Sequence, residues 1–132
     1  MARQKKILIS LPDTLLDEAD SLAHSQNINR SEFQELLKGS KPVLVDYWAP
    51  WCGYCRRIGP AYDLIAEQFD AEVEIVKINI DDEPELSNAE AIEVIPTLVM
   101  YKNGKSVNSI VAPESKAMIE NFIWDSVGKQ EG

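Results

Sequence analysis

Only two cysteines, Cys52 and Cys55, and one histidine, His24, occur among the 132 residues. A mononuclear zinc or iron–sulfur centre takes four ligands, and these three side chains fall short of that set. A metal shared between two chains is the only arrangement the count leaves, and no cofactor is expected. His24, far from the cysteines, reads as a solvated or partly packed side chain on a surface helix. Long apolar runs are also missing, for no stretch approaches the ~20 residues of a bilayer-spanning helix. The opening "MARQKKILISLPD" has a basic head, but its apolar run is too short for a signal peptide and Pro12 and Asp13 end it. The expected location is therefore cytoplasmic, with no membrane partner. Basic residues are scarce: the net charge is −9, and residues 41–132 carry 16 acidic against 8 basic side chains. So acidic a body disfavours nucleic acid and anionic membranes as general partners. No internal repeat or low-complexity tract is present.

What is there fits one domain with a small extension, and 45% hydrophobic residues suffice for an ordinary core. "KPVLVDYWAP" (41–50) reads as a buried strand with one carboxylate inside it. Residues 52–69 read as a helix, with Ile58, Tyr62, Ile65, Ala66 and Phe69 at helical spacing and Pro60 expected to kink it. "VEIVKINI" (73–80) is a second strand. "DDEPELSNAEAI" (81–92) opens with acids and a proline, as helix N-termini do. "TLVMYKNGKSVNSIVA" (97–112) is two strands around Asn103-Gly104, a strong hairpin signal. Pro113 is expected to open a last helix whose inner face carries Met118, Ile119, Phe122 and Ile123. This order predicts an α/β chain, a mixed central sheet flanked by helices.

Both cysteines fall in "WAPWCGYCRRIGP" (48–60). In a cytoplasmic setting structural disulfides are rare, and linking residues three apart constrains little unfolded-chain entropy. A redox pair explains more. Cys52 falls where strand gives way to helix, so free backbone N–H groups and the helix dipole would stabilise its thiolate. Cys55 lies one turn on, within reach of a disulfide, and Arg56 and Arg57 add positive charge. An attacking thiolate and a second thiol to resolve the mixed disulfide are the minimum parts for thiol–disulfide exchange.

"VDYWAPWCGYCR" resembles the active-site segment of the thioredoxin family. The likeness continues through Pro60, "VKINID" (76–81) and "VIPTLVMYKNG" (94–104), and spans about residues 27–127. It implies a thioredoxin fold and a protein-disulfide oxidoreductase acting on protein disulfides, with thioredoxin reductase as electron donor. Within it Cys52 would be the nucleophile and Cys55 the resolving thiol. Asp46 would be a buried carboxylate with a raised pKa that passes protons to and from Cys55. Lys77 would be its cationic partner, its alternative being an ordinary surface lysine. Pro96 would be a cis-proline that leaves the Ile95 backbone free to pair with an extended client peptide. Trp51 and Gly53 would form the surface around the sulfurs, and Trp48 would pack beneath it.

Two departures from the family pattern stand out. Tyr54 replaces the usual proline between the cysteines, and C-G-Y-C also resembles some periplasmic disulfide isomerases, so the direction of exchange is left open. Ala112-Pro113 replaces a usual Gly-Ala pair on the docking surface, so Ala112 would narrow the groove. The remaining segment is taken as a strand-helix extension (1–26) on a thioredoxin domain (27–132). "KKILISLP" alternates like a strand, "DTLLDEADSLAHSQ" is amphipathic, and "NRSEFQELLKGS" is a helix capped by Ser31 or Asn29 and stopped near Gly39. Residues 5–38 weakly resemble ribbon-helix-helix repressors, which would imply a homodimer through the N-terminal strand and DNA contacts from Lys6, Leu8 and Ser10. Leu8 suits that role poorly. The preferred expectation is that "KKILISL" completes the sheet or pairs between chains. The alternative function is a thioredoxin-fold adaptor or redox sensor with this segment as its dimer or DNA element.

Overall fold

The computed structural model describes residues 25–128. Its elements run β1 (Gln26–Asn27), α1 (Arg30–Leu37), β2 (Val43–Trp48), α2 (Gly53–Gln68), β3 (Glu74–Asn79), α3 (Pro84–Ala89), β4 (Thr97–Lys102), β5 (Lys105–Val111) and α4 (Lys116–Val127). The sheet has the order β1-β3-β2-β4-β5. β2 lies parallel to β3 and antiparallel to β4, so the sheet is mixed, as expected.

β2 is buried on both faces, which is why it reads as a continuous apolar run. Leu44 packs with Ile58, Tyr62 and Ile65 of α2 and Ile119, Phe122 and Ile123 of α4. Val43, Val45 and Tyr47 point the other way, onto Phe33 of α1 and Leu86 of α3. Asp46 therefore shares the face of Leu44, beneath α2.

Asn29, rather than Ser31, caps α1: its side chain accepts from the Glu32 N–H, and the Glu32 carboxylate accepts from the Asn29 N–H, both at 2.9 Å. Asn103 and Gly104 have φ of 55° and 82°, the left-handed pair that a two-residue hairpin requires. α2 runs through Pro60 as a single helix.

Two expectations are corrected. The last helix starts at Lys116 with Ser115 as its cap, not at Pro113. The Ser115 hydroxyl accepts from the Met118 N–H at 3.2 Å, and this fixes the helix start. Met118 is 39% exposed, so it is not on the inner face with Ile119, Phe122 and Ile123. It sits in the first turn, where its sulfur accepts from the Glu114 N–H at 3.4 Å. The stretch before α1, polar in sequence, nevertheless supplies a strand: β1 pairs with β3 through Gln26–Val76 and Asn27–Lys77. A two-residue edge strand with both side chains exposed needs no apolar alternation. The proposed strand at "KKILISL", the following helix and His24 lie outside the described residues.

Candidate active site

The strand β2 ends at Trp48, and four residues later Cys52 caps α2. Its backbone is extended, with φ −89° and ψ 108°, so its sulfur turns back over the first helical turn. There Sγ accepts from the Cys55 N–H at 3.1 Å. Cys52 and Cys55 form a disulfide with Cα atoms 5.3 Å apart. Cys52 is 9% exposed and Cys55 4%, so the outer sulfur is the one a client can reach. Cys52 caps the helix N-terminus, as the sequence predicts, with the Cys55 N–H aimed at its sulfur.

The 94–97 loop closes one side. The Ile95–Pro96 peptide is cis, and the Ile95 carbonyl oxygen lies 3.9 Å from Cys52 Sγ. Pro96 O accepts from the Ala112 N–H at 2.9 Å, which ties this loop to the end of β5. Ala112 has φ 46°, a left-handed conformation that an L residue enters at a cost and glycine enters freely. That conformation gives a physical reason for the family's glycine. Trp51 is 65% exposed, and its indole N–H donates to Asp81 at 3.0 Å. Gly53 is exposed, and a Cβ there would meet nothing within 4 Å. The site thus has an open shoulder beside Cys52.

Asp46 is 2% exposed, and its Oδ1 has no hydrogen-bond partner. Burial pushes its pKa from 3.8 up to about 7; the Lys77 charge opposes this and the Asp63 carboxylate adds to it. Lys77 sits opposite Asp46 in the β2–β3 register. It is half-buried, and its ammonium lies 5.0 Å from the centroid of the Trp48 ring. Lys77 therefore divides its charge between a π face and a nearby carboxyl rather than closing a contact ion pair with Asp46. Trp48 is itself half-buried, its N–H donating to Asn27 at 2.7 Å.

Tyr54 reaches sideways. Its hydroxyl donates to the Pro113 carbonyl at 2.9 Å, and the Arg57 guanidinium lies 5.7 Å from its ring centroid. Arg56 donates to the Pro50 carbonyl at 2.8 Å. Both arginines thus brace the active-site turn as well as charging it.

Cys52, Cys55, Trp51, Gly53, Tyr54, Ile95, Pro96 and Ala112 surround one surface, with Asp46 and Lys77 on the sheet beneath α2. Sequence reasoning did not single out Asp81 or Asp63, and it named Pro113 only as an expected helix start and as a departure beside Ala112. Asp81 lay within a quoted motif, "VKINID". Pro113 contributes a backbone carbonyl, for which the sequence holds no signal. Asp63 accepts from the Ser25 N–H at 3.3 Å and from the Ser25 hydroxyl at 2.5 Å, one turn from Pro60 on α2.

Comparison with known proteins agrees with this geometry. The thioredoxin family model matches residues 24–125. The thioredoxin of Porphyra purpurea is 41% identical over 99 residues, which is 75% of this chain and 92% of that protein. Thioredoxin 1 of Synechococcus elongatus is 44% identical over 90 residues, 68% of this chain and 84% of its own. Among solved structures, the thioredoxin of Malassezia sympodialis superposes with a TM-score of 0.72 at 28% identity, covering 79% of this chain and 91% of that one. With a Cys52–Cys55 disulfide at the head of α2 and relatives of this kind, the chain belongs to the thioredoxin family and is a thiol–disulfide oxidoreductase.

Proposed function

We propose that the protein reduces client protein disulfides in the cytoplasm and is recharged by a thioredoxin reductase. Its protein-disulfide substrates follow from the family; the direction, the donor and the compartment are the proposal. A chloroplastic thioredoxin of Pisum sativum, 36% identical, keeps an organelle as the competing compartment. No described helix is long and apolar enough to cross a membrane.

The roles follow from position. In the dithiol form the Cys52 thiolate attacks a client sulfur, forms the mixed disulfide and releases one client thiolate. Cys55, deprotonated, then attacks Cys52 Sγ, closes the internal disulfide and releases the second client thiolate. Two electrons pass to the client. Asp46 takes the Cys55 proton and returns it on recharging, and a carboxyl with a pKa of about 7 can do both near neutral pH. Lys77 limits how far burial raises that pKa. The client backbone pairs with Ile95 beside Pro96, while Trp51, Gly53, Tyr54 and Ala112 line the approach. The same proposal keeps residues 1–26 as an extension on a body of residues 27–132, with β1 as the joint between them.

The observation that carries this reading is the pairing of a helix-capping sulfur, the more exposed of the two at 9%, with a buried carboxyl of β2 whose Oδ1 has no hydrogen-bond partner. Single-turnover reduction of a protein disulfide, followed against pH for the native chain and for Asp46→Asn, tests it. The native rate of the resolving step should carry an inflection near pH 7, and the variant should lose it. An unchanged profile in the variant would remove Asp46 from the proton path.

A further inference from the structure

An apolar groove lies away from the cysteines, at the β1 edge of the sheet. It holds about 390 Å³ between that edge and α1. Ile28, Leu36 and Val76 form its floor, and Glu32, Glu35 and Glu74 stand along its rim. The neighbouring strand is only Gln26–Asn27, exposed at both residues. Among the described residues no strand pairs with its outer side, and an edge of this kind invites one.

We propose that residues 5–11 of the same chain, "KKILISL", occupy this groove, with Ile7, Ile9 and Leu11 on its apolar floor and the backbone along the outer side of β1. Three observations select this occupant. The segment alternates, so one face carries Lys5, Ile7, Ile9 and Leu11, with Lys5 at its end, and the other Lys6, Leu8 and Ser10. Its lysines, Lys5 and Lys6, match the carboxylates of the rim. Glu35 and Glu74 have lysine neighbours at 3.3 and 3.8 Å, but these are exposed pairs that leave the rim open to further cations. The chain also arrives at the right place. Ser25, anchored to Asp63 through its hydroxyl, directly precedes Gln26, which itself lines the groove. The thirteen residues 12–24 reach ~20 Å even if fully helical and over twice that extended, ample to return to an adjacent edge.

The test uses the full chain beside two variants, one lacking residues 1–12 and one carrying Ile9→Asp. Amide hydrogen exchange and solution mass are read on each. The native chain should be a monomer. In both variants the Gln26, Asn27 and Ile28 amides should exchange at least about tenfold faster, while those of β2 and β4 keep their protection. Ile9→Asp decides the matter if the deletion does not fold. Equal exchange at Gln26–Ile28 in native and Ile9→Asp chains would overturn the proposal. So would a native dimer that becomes a monomer with Ile9→Asp, because the groove would then hold a second copy's strand. Salt-sensitive binding of duplex DNA lost in Ile9→Asp would also overturn it, by giving the segment to another partner.

Discussion

At the scale of single residues, Asp46 has the sharpest consequences. Its folded pKa of about 7 lies above its unfolded value near 4. The folded state therefore binds the proton more tightly, and the native protein loses stability as pH rises from about 4 to about 7. Above that window the full cost is present, on the order of 4 kcal/mol as an upper figure. Asp46→Asn should thus stabilise the protein at pH 8, by roughly 2–4 kcal/mol, and by much less at pH 4. Urea unfolding at both pH values measures this. Equal gains at the two pH values would show that the charge of Asp46 is not what costs stability. Tyr54 is the second such residue. Tyr54→Phe removes one hydrogen bond to Pro113 and keeps the ring, so it should cost about 1 kcal/mol in urea unfolding. Tyr54→Pro should restore the usual restraint on the turn and make the pair more reducing. A shift on the order of 30 mV against glutathione would be a tenfold change in equilibrium constant. An unmoved potential would mean that the poise is set elsewhere.

Among the elements, the junction of β5 with α4 carries one of the chain's two departures from its family's pattern. Ala112 is left-handed at φ 46° while its N–H holds the Pro96 carbonyl. Ala112→Gly should relieve that conformation, offset in part by the greater freedom of glycine in the unfolded chain. A net gain of up to about 1 kcal/mol is expected, with the denaturant slope unchanged. A loss of comparable size would show that the Ala112 methyl contributes packing that outweighs the backbone cost. The elements also show what a sequence can and cannot tell. β2, α2 and the β4–β5 hairpin were legible because each carries a strong local pattern: a buried apolar run, a helical stripe, an Asn-Gly turn. The α4 boundary was misread because Pro113 suits a helix start on propensity alone. Ser115, two residues on, competes for the cap and wins through its side-chain hydrogen bond. Met118 went with it: it lies about 100° around the helix from Ile119, at the edge of the buried stripe, and its sulfur turns to the Glu114 N–H. β1 was faint because an edge strand of two polar residues has no periodicity to read. The Tyr54–Pro113 and Trp51–Asp81 contacts join residues 59 and 30 positions apart, and no spacing within one element announces them.

For the whole molecule, the core divides between the two faces of one sheet, and the cysteine pair sits past the end of β2, where α2 begins. Its chemistry depends on three elements meeting: the head of α2, the loop before β4, and the buried middle of β2. The measurement that tests this account most directly is disulfide exchange by the single-cysteine variants. Native protein, Cys52→Ser and Cys55→Ser are each given a reductant and an insulin substrate, and turnover and trapped adducts are read together. Cys52→Ser should fall to the uncatalysed rate and trap nothing. Cys55→Ser should stall after one attack and accumulate a mixed disulfide through Cys52. Near-native turnover by Cys52→Ser, or adducts formed through Cys55 instead, would contradict the account.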